Sequence, residues 1–367
     1  SGNRTTVVPP GRKAHRFEYD KRNRLKTYRP PRVGGVSMPT NYSYNRDGDL
    51  TQIAYPDGST LSRTFNGAGQ LTKASAPSAT RNYTYDSKTG RLAKISSSTG
   101  QDVSFSYDGP LRTKTTWSGT VSGSVSRTYD NSFRVKSRSV NQSHTANFSY
   151  DQDSKVTQAG GMTITRDPQT GFVTGTSIGV VTTSKTYTNH GELKSHTAKV
   201  SGTPIYEAVY DRDKLGRIKK VTETIQGTTT TREYSYDAAG RLIAASENGS
   251  VRWTYQYDSN GNRLKFEDRT QGITETGTYD AQDRIKKYDG ATYDWTKRGD
   301  LKRKVEPNGD TTTYDFDVWG NLRKVKLPNG DTIEYVVDPK NRRIGKKVNG
   351  QFKRGWVYDD QLQIVAE

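Results

Sequence analysis

Three pairs of carboxylates two residues apart, Asp47/Asp49, Asp151/Asp153 and Asp211/Asp213, are the first places in this chain to look for acid–base or metal chemistry. A calcium loop needs more acidic positions and a closing Glu than these stretches supply. The four histidines, His15, His144, His190 and His196, show no His-Glu-x-x-His spacing. His190 stands just before Gly191 in a turn, and His196 falls on an expected strand. The absence of cysteine excludes thiol nucleophiles, Cys-based zinc sites and disulfides. The sequence therefore reads as non-enzymatic, with no catalytic residue, cofactor or metal ligand assigned, and its aspartates read as turn formers.

The elements that hold those aspartates are copies of one phrase: an aromatic residue, Asp, two spacers, Gly, a polar residue and a branched apolar residue. The clearest copies run Tyr236-Asp237-Ala238-Ala239-Gly240-Arg241-Leu242 and Tyr257-Asp258-Ser259-Asn260-Gly261-Asn262-Arg263-Leu264. A near copy is Phe316-Asp317-Val318-Trp319-Gly320-Asn321-Leu322, and Tyr85-Asp86 and Tyr107-Asp108 open further ones. Aromatic anchors fall at Tyr19, Tyr44, Phe65, Tyr85, Tyr107, Tyr129, Tyr150, Tyr187, Tyr210, Tyr236, Tyr257, Tyr279, Trp295, Phe316 and Tyr358, with weaker equivalents at Arg166 and Val337. Their mean period of about 21 residues marks a repeat architecture.

Each period carries two turn signals. In Asp-x-x-Gly, Asp can bond the backbone ahead of it and Gly supplies a positive φ. Half a period later come Pro56-Asp57-Gly58, Glu247-Asn248-Gly249, Pro307-Asn308-Gly309, Pro328-Asn329-Gly330 and Asn349-Gly350, strong hairpin signals. Runs rich in Thr, Val, Tyr and Ile between them, such as Thr332-Ile333-Glu334-Tyr335-Val336-Val337, suit strands. Each repeat is expected to be one β-hairpin. Aromatics two apart, as at Tyr42/Tyr44, Tyr83/Tyr85, Phe105/Tyr107, Tyr234/Tyr236 and Tyr255/Tyr257, share one face of the sheet. That stripe reads as cross-strand packing, with a sugar-binding or base-stacking platform as the alternative.

Only 30% of the residues are hydrophobic and the net charge is +18, a combination that would flag disorder without the strict period and the 23 tyrosines. A single-layer sheet with water on much of both faces needs few aliphatics. Some thirty strands at about 4.8 Å each would run to roughly 150 Å if flat. Sheets beyond about ten strands curl, so the meander is expected to spiral into a hollow barrel or shell, coil covering coil. The expected domain organisation is one repeat segment over residues 1–367 with an irregular insertion near 28–41, where Pro30-Pro31 and Gly34-Gly35 could mark a sheet edge. Near Tyr129 and Tyr150 the turn Gly is replaced by Phe133 and Ser154, and the spacing falls to 16 from Tyr150 to Arg166 and from Tyr279 to Trp295, which suggests shortened hairpins.

Many copies of Tyr-Asp-x-x-Gly-Arg/Asn-x-Leu at this period resemble the Rhs, or tyrosine-aspartate (YD) repeat, proteins over essentially the whole chain. The stretch from Arg342-Arg343-Ile344-Gly345-Lys346-Lys347-Val348-Asn349-Gly350 through Tyr358-Asp359-Asp360-Gln361-Leu362 to Ala366-Glu367 looks like the repeats that precede the Rhs core. The resemblance implies a bacterial, exported β-shell that holds a C-terminal toxic or cargo domain, with teneurins as animal relatives. A self-cleaving aspartyl protease motif follows the repeats in toxin-type relatives and is not found in these residues. The alternative is a surface adhesion or carbohydrate-binding module.

Partners follow from the same reasoning. The scattered Lys and Arg read as solvated surface rather than a nucleic-acid footprint, although basic side chains facing a cavity could hold an acidic cargo. No run approaches the roughly 18 apolar residues of a membrane span, and Ser1-Gly2-Asn3-Arg4 lacks a signal-peptide core. Unpaired first and last strands would invite end-to-end self-association.

Overall fold

Thirty-six β-strands and no helix make up the described residues of the computed structural model. These are residues 2–359 and 361–367; Ser1 and Asp360, both quoted above from the sequence, lie outside them. Thirty-four strands belong to one sheet, and Val357–Tyr358 pairs with Ile364–Ala366 in a separate ribbon. The pairing is a meander in which neighbours in sequence are antiparallel neighbours in space, for example Thr228–Tyr236 with Leu242–Glu247 and Leu242–Glu247 with Ser250–Tyr257. The chain is thus all-β, a run of tandem hairpins, as the repeat pattern predicts.

Two compact units can be distinguished. The first takes in the chain up to Ser126, Val140–Gln142 and the chain from Gly277 onward, and the second takes in Arg127–Ser139 and Ser143–Thr276.

Both turn types of the repeat are realised by local backbone chemistry. At Tyr55, Gly58 N–H returns to the Tyr55 carbonyl, so Pro56 and Asp57 occupy the centre of a type I turn and Gly58 supplies φ 89°. Where no Pro precedes, Asn248-Gly249 and Asn349-Gly350 both take positive φ, the type I′ geometry that matches strand twist. The 16-residue spacings yield short strands, Val156–Ala159 with Met162–Arg166 and Ile285–Tyr288 with Ala291–Trp295.

Phe133 and Ser154 do not shorten their turns. They adopt φ 62° each, the conformation Gly holds elsewhere, and Phe133 N–H still returns to the Asp130 carbonyl. Left-handed backbone costs an L-residue roughly 1–2 kcal/mol, and Phe133 is 71% exposed, so packing offsets little of it. Phe133→Gly is therefore expected to stabilise the protein by about 0.5–1 kcal/mol after the entropy of the freer unfolded chain; a chemical-denaturation midpoint at or below wild type would refute this.

The insertion is not a sheet edge. Leu25–Arg29 pairs with His15–Tyr19 on one side and, over Thr27 and Tyr28, with Thr40–Tyr44 on the other. Residues between them form a side loop closed by the Val33↔Val36 bridge.

Burial follows the low aliphatic content. Along the aromatic strands half-buried and exposed residues alternate, with Tyr234 and Tyr236 half-buried and Ser235 between them exposed. The apolar cluster lies in the first unit and consists of Val103, Trp117, Val121, Val125, Ile344, Val357 and Tyr358.

Candidate functional site

The repeated turn is a clasp, and Asp237 shows its parts. Its N–H donates to the Arg241 carbonyl and Gly240 N–H donates to the Asp237 carbonyl, closing a five-residue loop. The carboxylate then takes Arg241 N–H on Oδ1 at 2.8 Å and Arg241 Nε on Oδ2 at 2.6 Å. Gly240 completes the loop at φ 81°. The strands meet at Tyr236↔Leu242 with a bulge just before the anchor, which adds twist. The backbone bond from Arg241 is the chief reason the Asp237 carboxyl lies below the usual aspartate range, with the Arg241 guanidinium adding to it. Asp20 and Asp130 are lowered in the same way, chiefly by backbone bonds from Arg24 and Arg134.

The Arg of the clasp reaches sideways into the next repeat. Arg241 Nη1 donates to the Asp258 carbonyl, and its guanidinium lies 5.1 Å from the centre of the Tyr257 ring. Arg24 covers Tyr44, Arg134 covers Tyr150 and Arg217 covers Tyr236, each at 4.6 Å. The anchor hydroxyls reach back a repeat: Tyr257 to the Leu242 carbonyl, Tyr236 to Ile218, Tyr107 to Leu92 and Tyr85 to Leu71. A large share of the arginines is therefore spent on ion pairs and cation–π contacts that join neighbouring hairpins.

The phrase tolerates exchange of donor and acceptor. Asn262 Nδ2 bonds Asp258 Oδ2, and Asn321 Nδ2 bonds both oxygens of Asp317. The polarity is reversed where Asn45 Nδ2 donates to Asp49 and Thr188 Oγ1 donates to Glu192. These i, i+4 complements are visible in the sequence, and they are the signal that a search for the Tyr-Asp pair alone passes over.

Most of the other motif residues take equivalent places, with three differences. Gly261 and Gly320 hold φ 90° and 82°, and Phe316 faces Leu322 without a hydroxyl to donate. Asp86 closes a loop one residue longer, with its Oδ1 accepting Thr89 N–H and Thr89 Oγ1–H. Asp108 is not a clasp residue, because Gly109-Pro110 turns the chain in two residues and leaves Asp108 exposed opposite Leu111. Leu264 does not face the anchor either: the five-residue loop sets Arg263 opposite Tyr257, so Leu264 falls one place outside and is 39% exposed. Near Tyr210 the anchor is Arg212, since Asp213 makes the clasp with Arg217 and Arg212 faces Ile218. Arg212 Nη2 then reaches the Leu193 carbonyl as a Tyr hydroxyl would. Asp211 consequently sits on a strand opposite Lys220, not in a turn.

In the first unit, clasps also meet hairpin tips far away in sequence. Asp338, fully buried, receives Lys340 N–H, Arg342 N–H, Arg342 Nε at 2.8 Å and Arg342 Nη2 at 2.6 Å, and also Trp117 Nε1 at 3.0 Å. The Arg342 guanidinium lies between Trp117 at 4.9 Å and Tyr358 at 5.5 Å. Buried Arg81 donates to the Pro339 carbonyl and Asn341 Oδ1 and stacks on Trp319 at 3.9 Å. Further along, Arg298 pairs with Asp57, Gln282 Nε2 reaches the Pro31 carbonyl and Arg12 pairs with Asp283. Gln101, also buried, plugs the adjoining tip through the Ser118 and Val121 carbonyls.

The four histidines do not converge on one another. His15 stacks on Tyr28 and bonds its hydroxyl, His190 caps a turn on Thr188, and His144 meets Ser143. His196 lies edge-on to Tyr206, and burial pushes its pKa down. Among the described residues no group of three or more His, Asp or Glu could hold a metal, and no helix is long and apolar enough to cross a membrane.

Comparison with known proteins agrees with this architecture. Teneurin-3 of Danio rerio is 26% identical over 328 residues, covering 80% of this chain and 12% of that protein. The tRNA3(Ser)-specific nuclease WapA of Bacillus spizizenii is 26% identical over 194 residues, 53% of this chain and 8% of that protein. The chain thus spans about a tenth of the length of these relatives. Among solved structures, the TcdB2-TccC3-TEV crystal structure superposes with a TM-score of 0.59 at 13% identity, covering all of this chain and 24% of that one, a likeness of fold. The teneurin YD-shell profile matches residues 1–366, and the chain belongs to the teneurin YD-shell family.

Proposed function

We propose that this chain is a non-catalytic wall segment of a bacterial, exported YD shell whose full-length protein encloses a C-terminal toxin or cargo domain. The observation that carries the reading is the buried tip-on-clasp contact of the first unit. Trp117 and Asp338 are 221 residues apart, and Arg81 and Asn341 are 260 apart, yet they bond directly. Hairpin tips that seat on turns more than two hundred residues away within one unit supply the kind of contact an enclosing wall needs and an open ribbon lacks. Similarity to a nuclease over only part of its length, and to the fold of a chain solved with TccC3, supports a wall joined to separate effector domains. Limited proteolysis of the segment with its native flanks, read by mass spectrometry, tests the proposal. The downstream tail is expected to survive under native conditions and to be cut rapidly after unfolding. Immediate digestion of the tail with the repeats intact would overturn enclosure and favour an exposed adhesion module.

A further inference from the structure

The insertion that interrupts the repeats builds a cavity of about 650 Å³ against the second and third strands. Its walls are Lys13, Arg16, Arg29 and Arg32 with Pro30 and Pro31, and no carboxylate lines it. Many arginines of the repeats are held by a carboxylate four residues away, whereas here Arg16 stands directly across the ladder from Arg29. Like charges placed opposite one another weaken a sheet. Glu18 takes Arg29 Nε at 2.9 Å, and among the described residues no carboxylate pairs with Lys13, Arg16 or Arg32. Pro31 is buried, and its carbonyl is tied to Gln282, so the wall is anchored to the body of the unit.

We infer that this cavity binds a compact polyanion carrying two or more phosphate or sulfate groups. Guanidinium forks match the oxygens of such groups in pairs, and Arg16 and Arg32 have their donors free for them. A bound dianion would also relieve the Arg16–Arg29 repulsion, so binding would stabilise the hairpin it touches. A cavity of this size falls within the range of small-ligand sites. The inference is independent of whether the shell encloses a cargo.

Isothermal titration of the 367-residue chain with inorganic tripolyphosphate, and separately with a heparin-derived tetrasaccharide, tests it; the tighter probe tells phosphate from sulfate. One saturable site per chain is expected. Arg16→Gln with Arg32→Gln should weaken binding about tenfold or more, while Lys73→Gln with Lys88→Gln, which removes equal charge from exposed positions, should change it less than about twofold. All four side chains are exposed, and circular dichroism would verify that both variants fold. Absence of saturable binding, several equivalent sites per chain, or equal loss in the two variants would overturn the site in favour of diffuse surface attraction.

Discussion

Replacing Asp338 by Ala is expected to destabilise the first unit by about 3–5 kcal/mol, because it strands a buried guanidinium. Asp338 is fully buried and Arg342 is 4% exposed. The carboxylate neutralises Arg342 through two bonds and accepts the Trp117 indole as well. Arg342 is shielded from water, with the Trp117 and Tyr358 rings 4.9 Å and 5.5 Å from its guanidinium. The comparison variant is Asp294→Ala. Its partner Arg303 bonds it at 2.6 Å, but both side chains are about half exposed, so the loss should stay under about 1 kcal/mol. Chemical denaturation followed by circular dichroism measures the difference, and amide exchange should locate it in Thr332–Val337 and Arg343–Val348. Equal losses in the two variants would mean that burial does not set the worth of this clasp.

Trp117→Ala should cost a similar amount, about 3–5 kcal/mol, for a different reason. Trp117 is 1% exposed and packs in the apolar cluster with Val103, Val125 and Ile344, so truncation leaves a cavity and removes one donor from Asp338. Trp117→Phe separates the two effects. It deletes the N–H while keeping an aromatic ring and much of the packing, and should cost about 1–3 kcal/mol, less than the truncation to Ala. The double variant Trp117→Ala, Asp338→Ala should fall short of the sum of the singles, since both remove the same bond. Strict additivity would show that indole and carboxylate act separately, contrary to their 3.0 Å contact.

The two sites differ in what the chain itself announces. Asp338-Pro339-Lys340-Asn341-Arg342 has the same donor and acceptor spacing as the Asp237–Arg241 clasp, and its anchor position, Val337, could be counted from the period. Nothing in those five residues distinguishes a fully buried clasp from a half-buried one such as Asp237 to Arg241. The same ambiguity explains the misplacements near Tyr210 and Leu264. An aromatic followed by Asp invites the eye, but register is decided by which Asp can accept the loop N–H groups and by the length of the loop. Phe133 failed the pattern for the opposite reason: the bonds around it impose a positive φ whatever residue stands there.

The sequence by itself determined the hairpin, its period, its two turn types and the shared face of its aromatics, because each depends on bonds between residues no more than a few places apart or on neighbouring strands. Only the tertiary structure decided which clasps are buried, which arginines reach the next repeat, and that in the first unit tips from the first third of the chain seat on clasps from the last. Every repeat presents nearly the same groups, so the chain carries little local information about which copy meets which. Within the first unit that choice rests on the fit of a few odd residues such as Trp117, Gln101 and Arg81.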